Sequence, residues 1–197
     1  MTIGEEPDVT GITAVNWYEL GSLELSKSVE SDAVDENGDP VSYGPFEATV
    51  ECTFLGEPVF ADGYDAENPM VVELAGDGTP VTLTGLPVNA ECTVTESNTA
   101  NAASTSMTVT QPGEDPVETD GPSADVVIVP NDAGTAGTQL VATNAFEVGA
   151  INLQKVVDGE GGPAYGGAGP FTIQVVCTYD ATGGRVQANR ERSTTAP

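Results

Sequence analysis

The sequence predicts an all-β protein whose strands form an antiparallel β-sandwich, with the sandwich repeated in tandem. Three observations lead to this fold class. Short segments alternate between apolar and polar residues, and turns rich in Gly, Pro and Asp separate them. No segment of useful length has the 3.6-residue periodicity of a helix. Finally, two stretches recur far along the chain.

The recurring stretches are LGSLELSKSV at 20–29, which matches VGAINLQKVV at 148–157, and GPFEATVECT at 44–53, which matches GPFTIQVVCT at 169–178. The offset is 128 residues for the first pair (148 − 20) and 125 for the second (169 − 44), because the intervening turn is shorter in the second copy. Such self-similarity predicts a tandem array of similar units.

The repeat also predicts the domain boundaries. Residues 17–145 form one complete unit, and 1–16 end with the last strand of a preceding unit. Residues 146–182 provide the first strands of a following unit, which we expect to be cut short. The tail 183–197 has no alternation after Val186 and is expected to be disordered.

The strands follow from period-two alternation. In the segment Leu20–Val29, the residues Leu23, Leu25, Lys27 and Val29 share one face, which places a lysine among core residues. Further strands are predicted over Phe46–Phe54, Met70–Leu74, Val81–Leu83, Ala90–Ser97, Met107–Thr110, Val126–Val129 and Gln139–Ala145, with Met70–Leu74 and Val81–Leu83 as a hairpin and Thr10–Asn16 as the last strand of the preceding unit.

Composition excludes several function classes. The formal net charge of −26 disfavours nucleic acid and anionic membranes as partners. No apolar run is long enough to span a membrane, and the acidic start MTIGEEPD is unlike a signal peptide, so any export signal or anchor would lie outside this sequence. Without histidine there is no Ser-His-Asp triad, and no phosphate-binding loop is present. We expect neither a cofactor nor enzymatic turnover.

The three cysteines are explained by the repeat. Cys177 is the equivalent of Cys52, so its own partner would lie in the missing part of the following unit. Cys52 and Cys92 then remain as a disulfide pair, which indicates an oxidising compartment. Two buried free thiols are the alternative.

Three polar residues fall on faces that should be buried, namely Lys27, Glu96 and Asn144. Burial favours the neutral amine and the neutral carboxyl. A neutral Lys27 could attack the Asn144 carboxamide while Glu96 shuttles protons, which would release ammonia and leave a Lys–Asn isopeptide bond. Lys155 and Asn16 are the repeat equivalents of Lys27 and Asn144, and neither has a complete site here.

Inert roles for these three residues remain open. Lys27 could extend to solvent at a sheet edge, or simply form a salt bridge with Glu96. Asn144 could belong to the linker before the next unit. Against these alternatives, the chain has only two lysines, and they occupy equivalent positions of the repeat.

The ordered strings GSLELSK (21–27), ECTVTE (91–96) and LVATN (140–144) resemble the B-type repeat domains of Gram-positive collagen adhesins and pilins. The resemblance is stronger to the disulfide-bearing variant in long actinobacterial surface proteins, and it covers Leu20–Asn144 and part of Phe146–Thr178. It implies a prealbumin-like sandwich with a Lys–Asn isopeptide bond assisted by a Glu. Cys92 departs from the family, which often has an aromatic residue there.

The acidic loop containing Asp35, Asn37 and Asp39 has the i, i+2, i+4 spacing of a calcium loop. Pro40 stands where the required glycine would be, and no bidentate Glu follows at the required distance. We therefore predict a solvated turn and no metal site.

These observations favour a structural stalk or adhesin repeat of a secreted or cell-wall-linked bacterial surface protein, with neighbouring repeats of the same chain as partners. One alternative is a module whose loops bind a host protein or glycan. Another is an accessory β-domain of a large secreted hydrolase.

Overall fold

The computed structural model describes residues 13–35, 37–132, 134–161, 171–180 and 185–188. These residues form strands and loops and contain no helix. The strands are β1 Leu20–Ser31, β2 Phe46–Phe54, β3 Glu57–Val59, β4 Met70–Leu74, β5 Val81–Pro87, β6 Glu91–Asn98, β7 Ser104–Thr110, β8 Val117–Asp120, β9 Ser123–Val127, β10 Thr138–Phe146, β11 Cys177–Asp180 and β12 Arg185–Ala188.

Strands β1 to β10 form two facing sheets, which confirms the predicted all-β sandwich. One sheet has the order β5-β1-β10-β7-β8, and the other has β3-β2-β6-β9 with β4 also paired to β2. Alternate residues of each long strand point inward because the side-chain period of a strand is two. The core between the sheets is therefore aliphatic and aromatic, and includes Leu23, Leu25, Phe46, Val50, Met70, Leu74, Leu86, Val94, Met107, Ile128 and Leu140.

The first and last strands of this sandwich are neighbours. β1 pairs with β10 in parallel, in a continuous register from Leu23 opposite Thr138 to Ser31 opposite Phe146. The other pairings within the two sheets are antiparallel. Gly21 at the start of β1 lacks a side chain where a Cβ would collide with the Val129 carbonyl group, so β1 can approach the segment after β9 closely.

The predicted hairpin of Met70–Leu74 with Val81–Leu83 is wrong. β4 pairs with β2 and β5 pairs with β1, so the two strands belong to different sheets. The turn between them carries the chain across the core. Both strands bury alternate residues, so their alternation cannot distinguish strands that pair from strands that face each other.

Two short strands, β3 and β8, were not predicted. Both lie at sheet edges, and every residue of β8 is exposed. An exposed edge strand has no buried face, so it leaves no alternation of apolar and polar residues in the sequence.

Outside the sandwich the predicted strands are largely absent. Residues 13–19 form no strand, and the rest of the predicted Thr10–Asn16 strand lies outside the described residues. Residues 148–157, the equivalents of β1, also form no strand. In the sandwich β1 is held by β5 and β10, and among the described residues 148–157 have no such pairing.

Within the tail that was expected to be disordered, Arg185–Ala188 forms β12 and pairs with β11. The four residues between β11 and β12 are a length typical of hairpin connections, which explains how so short a pair can form locally. The described part of the chain contains no helix long and apolar enough to cross a membrane.

Candidate functional site

Lys27 lies in the middle of β1 with its side chain fully buried between the sheets. The alternation that turns Leu23 and Leu25 inward turns Lys27 inward as well. Its Nζ lies 3.1 Å from Glu96 Oε1, and it donates hydrogen bonds to Glu96 Oε2 at 3.3 Å and to the Ala142 carbonyl oxygen at 3.2 Å. The sequence-based placement of this amine in the core is therefore correct.

Glu96 reaches the same point from the opposite sheet. It is the third inward residue of β6 after Cys92 and Val94, and it is only 4% exposed. Its backbone N–H donates to the Pro122 carbonyl oxygen at 2.8 Å, which holds the end of β6 in place. The carboxylate and the lysine amine thus form an ion pair that is shielded from water.

Asn144 completes the cluster from β10, next to β1 in the first sheet. Its Nδ2 donates to Glu96 Oε1 at 2.9 Å and to the Thr99 carbonyl oxygen at 3.0 Å. Its Oδ1 is buried and has no hydrogen-bond partner among the described residues. One carboxylate oxygen, Oε1 of Glu96, therefore lies within 3.1 Å of both the lysine and the asparagine nitrogen.

Sequence reasoning missed three further groups around this cluster. The carbonyls of Ala142 and Thr99 accept hydrogen bonds from it, and the Phe46 ring lies with its centroid 4.8 Å from Lys27 Nζ. Thr99 is followed by Ala100 and Asn101 with φ of 52° and 58°, a left-handed conformation that is costly for alanine and better tolerated by asparagine. A phenylalanine on the inward face of β2 was the only one of the three visible in the sequence.

Burial controls the charge state of the amine. Desolvation lowers the pKa of Lys27 below its ordinary value of 10.5, because an ammonium is poorly stabilised away from water. The negative charge and hydrogen bond of Glu96 oppose this shift and raise the pKa, but less than desolvation lowers it. At a given pH, a larger fraction of Lys27 is therefore in the neutral, nucleophilic form than for a lysine in solvent.

The predicted disulfide is present between Cys52 and Cys92. The two residues face each other on adjacent strands β2 and β6, with a Cα–Cα distance of 4.0 Å. Both are buried, on the inward faces of their strands. Cys177 is a free, exposed thiol.

The other residues singled out by the repeat do not form a second site. Asn16 is exposed, and Lys155 Nζ donates to its neighbour's carbonyl, that of Val156, at 3.1 Å. Lys155 nevertheless lies over the Phe171 ring, 5.1 Å from the centroid, as Lys27 lies over Phe46. Lys155 is the repeat equivalent of Lys27, and Phe171 is the repeat equivalent of Phe46.

The acidic loop forms a turn that is stabilised by its own side chains. Asp35 Oδ1 accepts hydrogen bonds from the backbone N–H groups of Asn37 and Asp39 at 2.8 and 3.0 Å. These bonds, led by that from Asp39, lower the pKa of the Asp35 carboxyl. Across the described residues no three His, Cys, Asp or Glu side chains are grouped so as to hold a metal ion.

The sequence model of a family described as "Domain of unknown function (DUF5979)" matches residues 23–147. This match covers more than half of the chain. The chain belongs to the DUF5979 family. The matched range begins within β1 and ends one residue after β10, so the DUF5979 domain comprises the sandwich with Lys27, Glu96, Asn144 and both cysteines of the disulfide. No curated protein sequence matches the chain.

Several solved structures are similar to this DUF5979 chain at low identity. An adhesin from Mobiluncus mulieris, described as containing intramolecular disulfide, isopeptide and ester bond cross-links, is 23% identical over 66% of this chain and 42% of its own, with a TM-score of 0.42. A major pilin protein from Streptococcus pyogenes is 14% identical over 66% and 46%, with a TM-score of 0.43. A protein described as a pilus-presented adhesin is 17% identical over 66% of this chain and 27% of its own, with a TM-score of 0.40. The chain spans less than half the length of each.

Proposed function

We propose that this domain is a load-bearing repeat of a bacterial surface adhesin or pilus-like stalk, and that an isopeptide bond between Lys27 and Asn144 joins its first and last strands. The observation that carries the proposal is the position of Glu96 Oε1, within hydrogen-bond distance of the nitrogen that would attack and the nitrogen that would leave. General acid–base catalysis requires such contacts with both groups.

The reaction balances within this cluster. The neutral Nζ of Lys27 attacks Cγ of Asn144, so that the Nζ–Cγ bond forms and the Cγ–Nδ2 bond breaks. One proton leaves Nζ and one reaches Nδ2, both by way of the Glu96 carboxyl group, and ammonia departs. The buried site favours the neutral amine that this step needs, since desolvation lowers the pKa of Lys27.

The energetics of the unreacted site also support a reactive role. A buried ion pair seldom stabilises a fold relative to apolar residues of similar size, because removing two charges from water is costly. The unpartnered Asn144 Oδ1 adds the penalty of an unsatisfied buried polar atom, about 1–3 kcal/mol. Cross-linking would replace the amine by a neutral amide, so the cost of burying its charge would disappear.

The topology gives this bond a mechanical role. The chain enters the sandwich at the start of β1 and leaves it at the end of β10, so tension along an array pulls these parallel neighbours in opposite directions. A Lys27–Asn144 bond would carry that tension from strand to strand. Residues 28–143, including the disulfide, would then remain unloaded.

The surroundings implied by this role are extracellular, at the cell surface or cell wall. A buried disulfide suits an oxidising compartment, and the net charge of −26 suits a module that stays soluble and repels other acidic surfaces. Its partners would be the neighbouring repeats of the same chain. The only chemistry would be the single autocatalytic bond, with no turnover.

Intact mass of the reduced, unfolded chain tests the proposal. Cross-linked protein should be lighter than its sequence by about 17 Da, the mass of the ammonia that the nucleophilic reaction expels. Lys27→Ala should restore the full sequence mass. Asn144→Ala should do the same, because it removes the carboxamide that supplies the ammonia.

The second lysine provides a matched control. Lys155→Ala changes the repeat equivalent of Lys27 but leaves the buried cluster intact, so this variant should still lose ammonia. A folded wild-type chain with the full sequence mass would refute the cross-link. Loss of ammonia in Lys27→Ala would assign it to another reaction, such as cyclisation of an asparagine to a succinimide.

A further inference from the structure

The two sheets contribute different parts of the cross-linking site. Lys27 and Asn144, the groups to be joined, both belong to the sheet that contains β1 and β10. Glu96 on β6 and Phe46 on β2, which both contact the lysine amine, belong to the other sheet. The relative position of β2 and β6 therefore decides whether both groups reach the nucleophile together.

The disulfide joins these same two strands on the same inward face. On β2 the inward residues run from Phe46 to Cys52, and on β6 they run from Cys92 to Glu96. The register is regular from Cys52 opposite Cys92 to Ala48 opposite Glu96, and it shifts immediately afterwards. Glu96 lies four positions after Cys92 on β6, a distance of about 13 Å along the strand.

Little else on the inward face fixes this register. The other inward residues between the disulfide and Glu96 are Ala48, Val50 and Val94, which are all small and apolar. If β6 slipped along β2 by two residues, one small apolar side chain would take the place of another, so packing would oppose the slip only weakly. That slip would move Glu96 about 7 Å along the sheet, and a slip of one residue would turn it outward. The slip of one residue would also return a buried carboxylate to water, which is favourable.

Other contacts of β6 are compatible with this role. β9 pairs with β6 along its outer edge from Glu91 to Thr95, and the Pro122 carbonyl accepts the Glu96 N–H. These are backbone bonds, which any register of a strand can form. β6 also makes side-chain bonds to β2 and the residue before it, from Ser97 Oγ to Glu47 and from Asn98 Nδ2 to the Pro45 carbonyl oxygen, but they are exposed, so water can replace either partner. A disulfide requires its two Cβ atoms to lie about 3.5–4.5 Å apart, and only one register provides this.

We propose that the Cys52–Cys92 disulfide positions Glu96 and Phe46 for the cross-linking reaction, so that the disulfide forms first and the isopeptide bond second. This inference rests on the proposed function. A disulfide oxidant accepts two electrons and two protons from the thiols, and the strands become locked in register before Lys27 attacks. The isopeptide bond would therefore form efficiently only in an oxidising compartment. The recurrence of a lysine and a cysteine together, as Lys155 and Cys177, agrees with such a coupling.

The test uses the full chain with Cys177→Ser, so that only one disulfide can form. The chain is purified unfolded and reduced, then refolded either with reductant or with oxidised glutathione, and ammonia loss is followed by intact mass. The oxidised chain should react, and the reduced, folded chain should react more slowly by at least about 10²-fold, because a misplacement of only 1 Å can already cost that much. Oxidised glutathione added later to the reduced chain should start the reaction.

A stability control separates positioning from general destabilisation. Val126→Ala removes core volume opposite Cys92 while keeping the disulfide, and the oxidised variant should react at the rate of the parent chain. Equal rates in the reduced and oxidised chains would overturn the inference and leave the proposed function intact. A reduced chain without β-sheet circular dichroism would also overturn it, because the disulfide would then act on folding. An oxidised chain that loses no ammonia would refute the cross-link itself, and this inference with it.

Discussion

Lys27 and Asn144 stand two register positions apart on neighbouring parallel strands, with Lys27 opposite Ala142 and Asn144 opposite Val29. Their side chains point to the same inward face, where Glu96 Oε1 lies 3.1 Å from Lys27 Nζ and 2.9 Å from Asn144 Nδ2. Because β1 and β10 are parallel, the chain enters β1 at one end of the pair and leaves β10 at the other. Tension on the chain therefore shears the two strands, and a covalent bond between them would resist that shear.

Glu96→Gln should slow ammonia loss by about 10²–10⁴-fold, the usual contribution of general acid–base catalysis. The amide keeps the shape of the carboxyl group but cannot transfer protons between Nζ and Nδ2. Intact mass measured over time after refolding would give the rate. Glu91→Gln is a matched control on the same strand, because Glu91 points to solvent. Wild-type rates in Glu96→Gln would exclude Glu96 as the proton carrier.

The reaction rate should rise with pH and level off below pH 10.5, the ordinary pKa of a lysine amine. Desolvation lowers the pKa of Lys27, so the neutral amine is fully populated at a lower pH than in a solvent-exposed lysine. Ammonia loss is measured after refolding at a series of pH values on both sides of 10.5. A rate that rises only around or above that value would mean that burial does not activate the amine.

Reduction of the Cys52–Cys92 disulfide should lower the free energy of unfolding by about 2–4 kcal/mol, because it frees a loop whose ends are 40 residues apart. The comparison is made by urea unfolding in a Lys27→Ala background, where no isopeptide bond can contribute. The Cys177→Ser variant should show the same difference, since Cys177 takes no part in the disulfide. Equal stabilities with and without reductant would contradict the expected effect.

The central part of the site could be predicted from the sequence because side chains along a strand alternate between the inward and outward faces, and this alternation depends only on local sequence. Alternation alone placed Lys27, Glu96 and Asn144 inward, and the repeat identified the cysteine pair. The carbonyls of Thr99 and Ala142 could not be predicted, since every residue has a carbonyl and only the fold selects which one accepts. The separation of β4 and β5 into different sheets was also invisible, because paired and facing strands have the same alternation.

Residues 148–157 should exchange their amide hydrogens far faster than β1, although the two sequences are repeat equivalents. β1 has strand partners on both sides, whereas this segment forms no strand and its residues are exposed. Hydrogen–deuterium exchange with peptide-level mass spectrometry measures both segments in one experiment. Equal protection would mean that the following segment is folded without the partners that hold β1.

Tension applied between the two ends of the chain should not extend the sandwich once Lys27 and Asn144 are joined. The force then passes through β1 to Lys27, across the bond, and out through the last residues of β10, so residues 28–143 bear no load. In Lys27→Ala the parallel strands are held only by hydrogen bonds and packing, and their rupture should release an extension on the order of 400 Å. Single-molecule force spectroscopy would measure the difference, with Lys155→Ala as the cross-linked control. A wild-type chain that shows the full extension would refute the load-bearing role even if its mass showed the loss of ammonia.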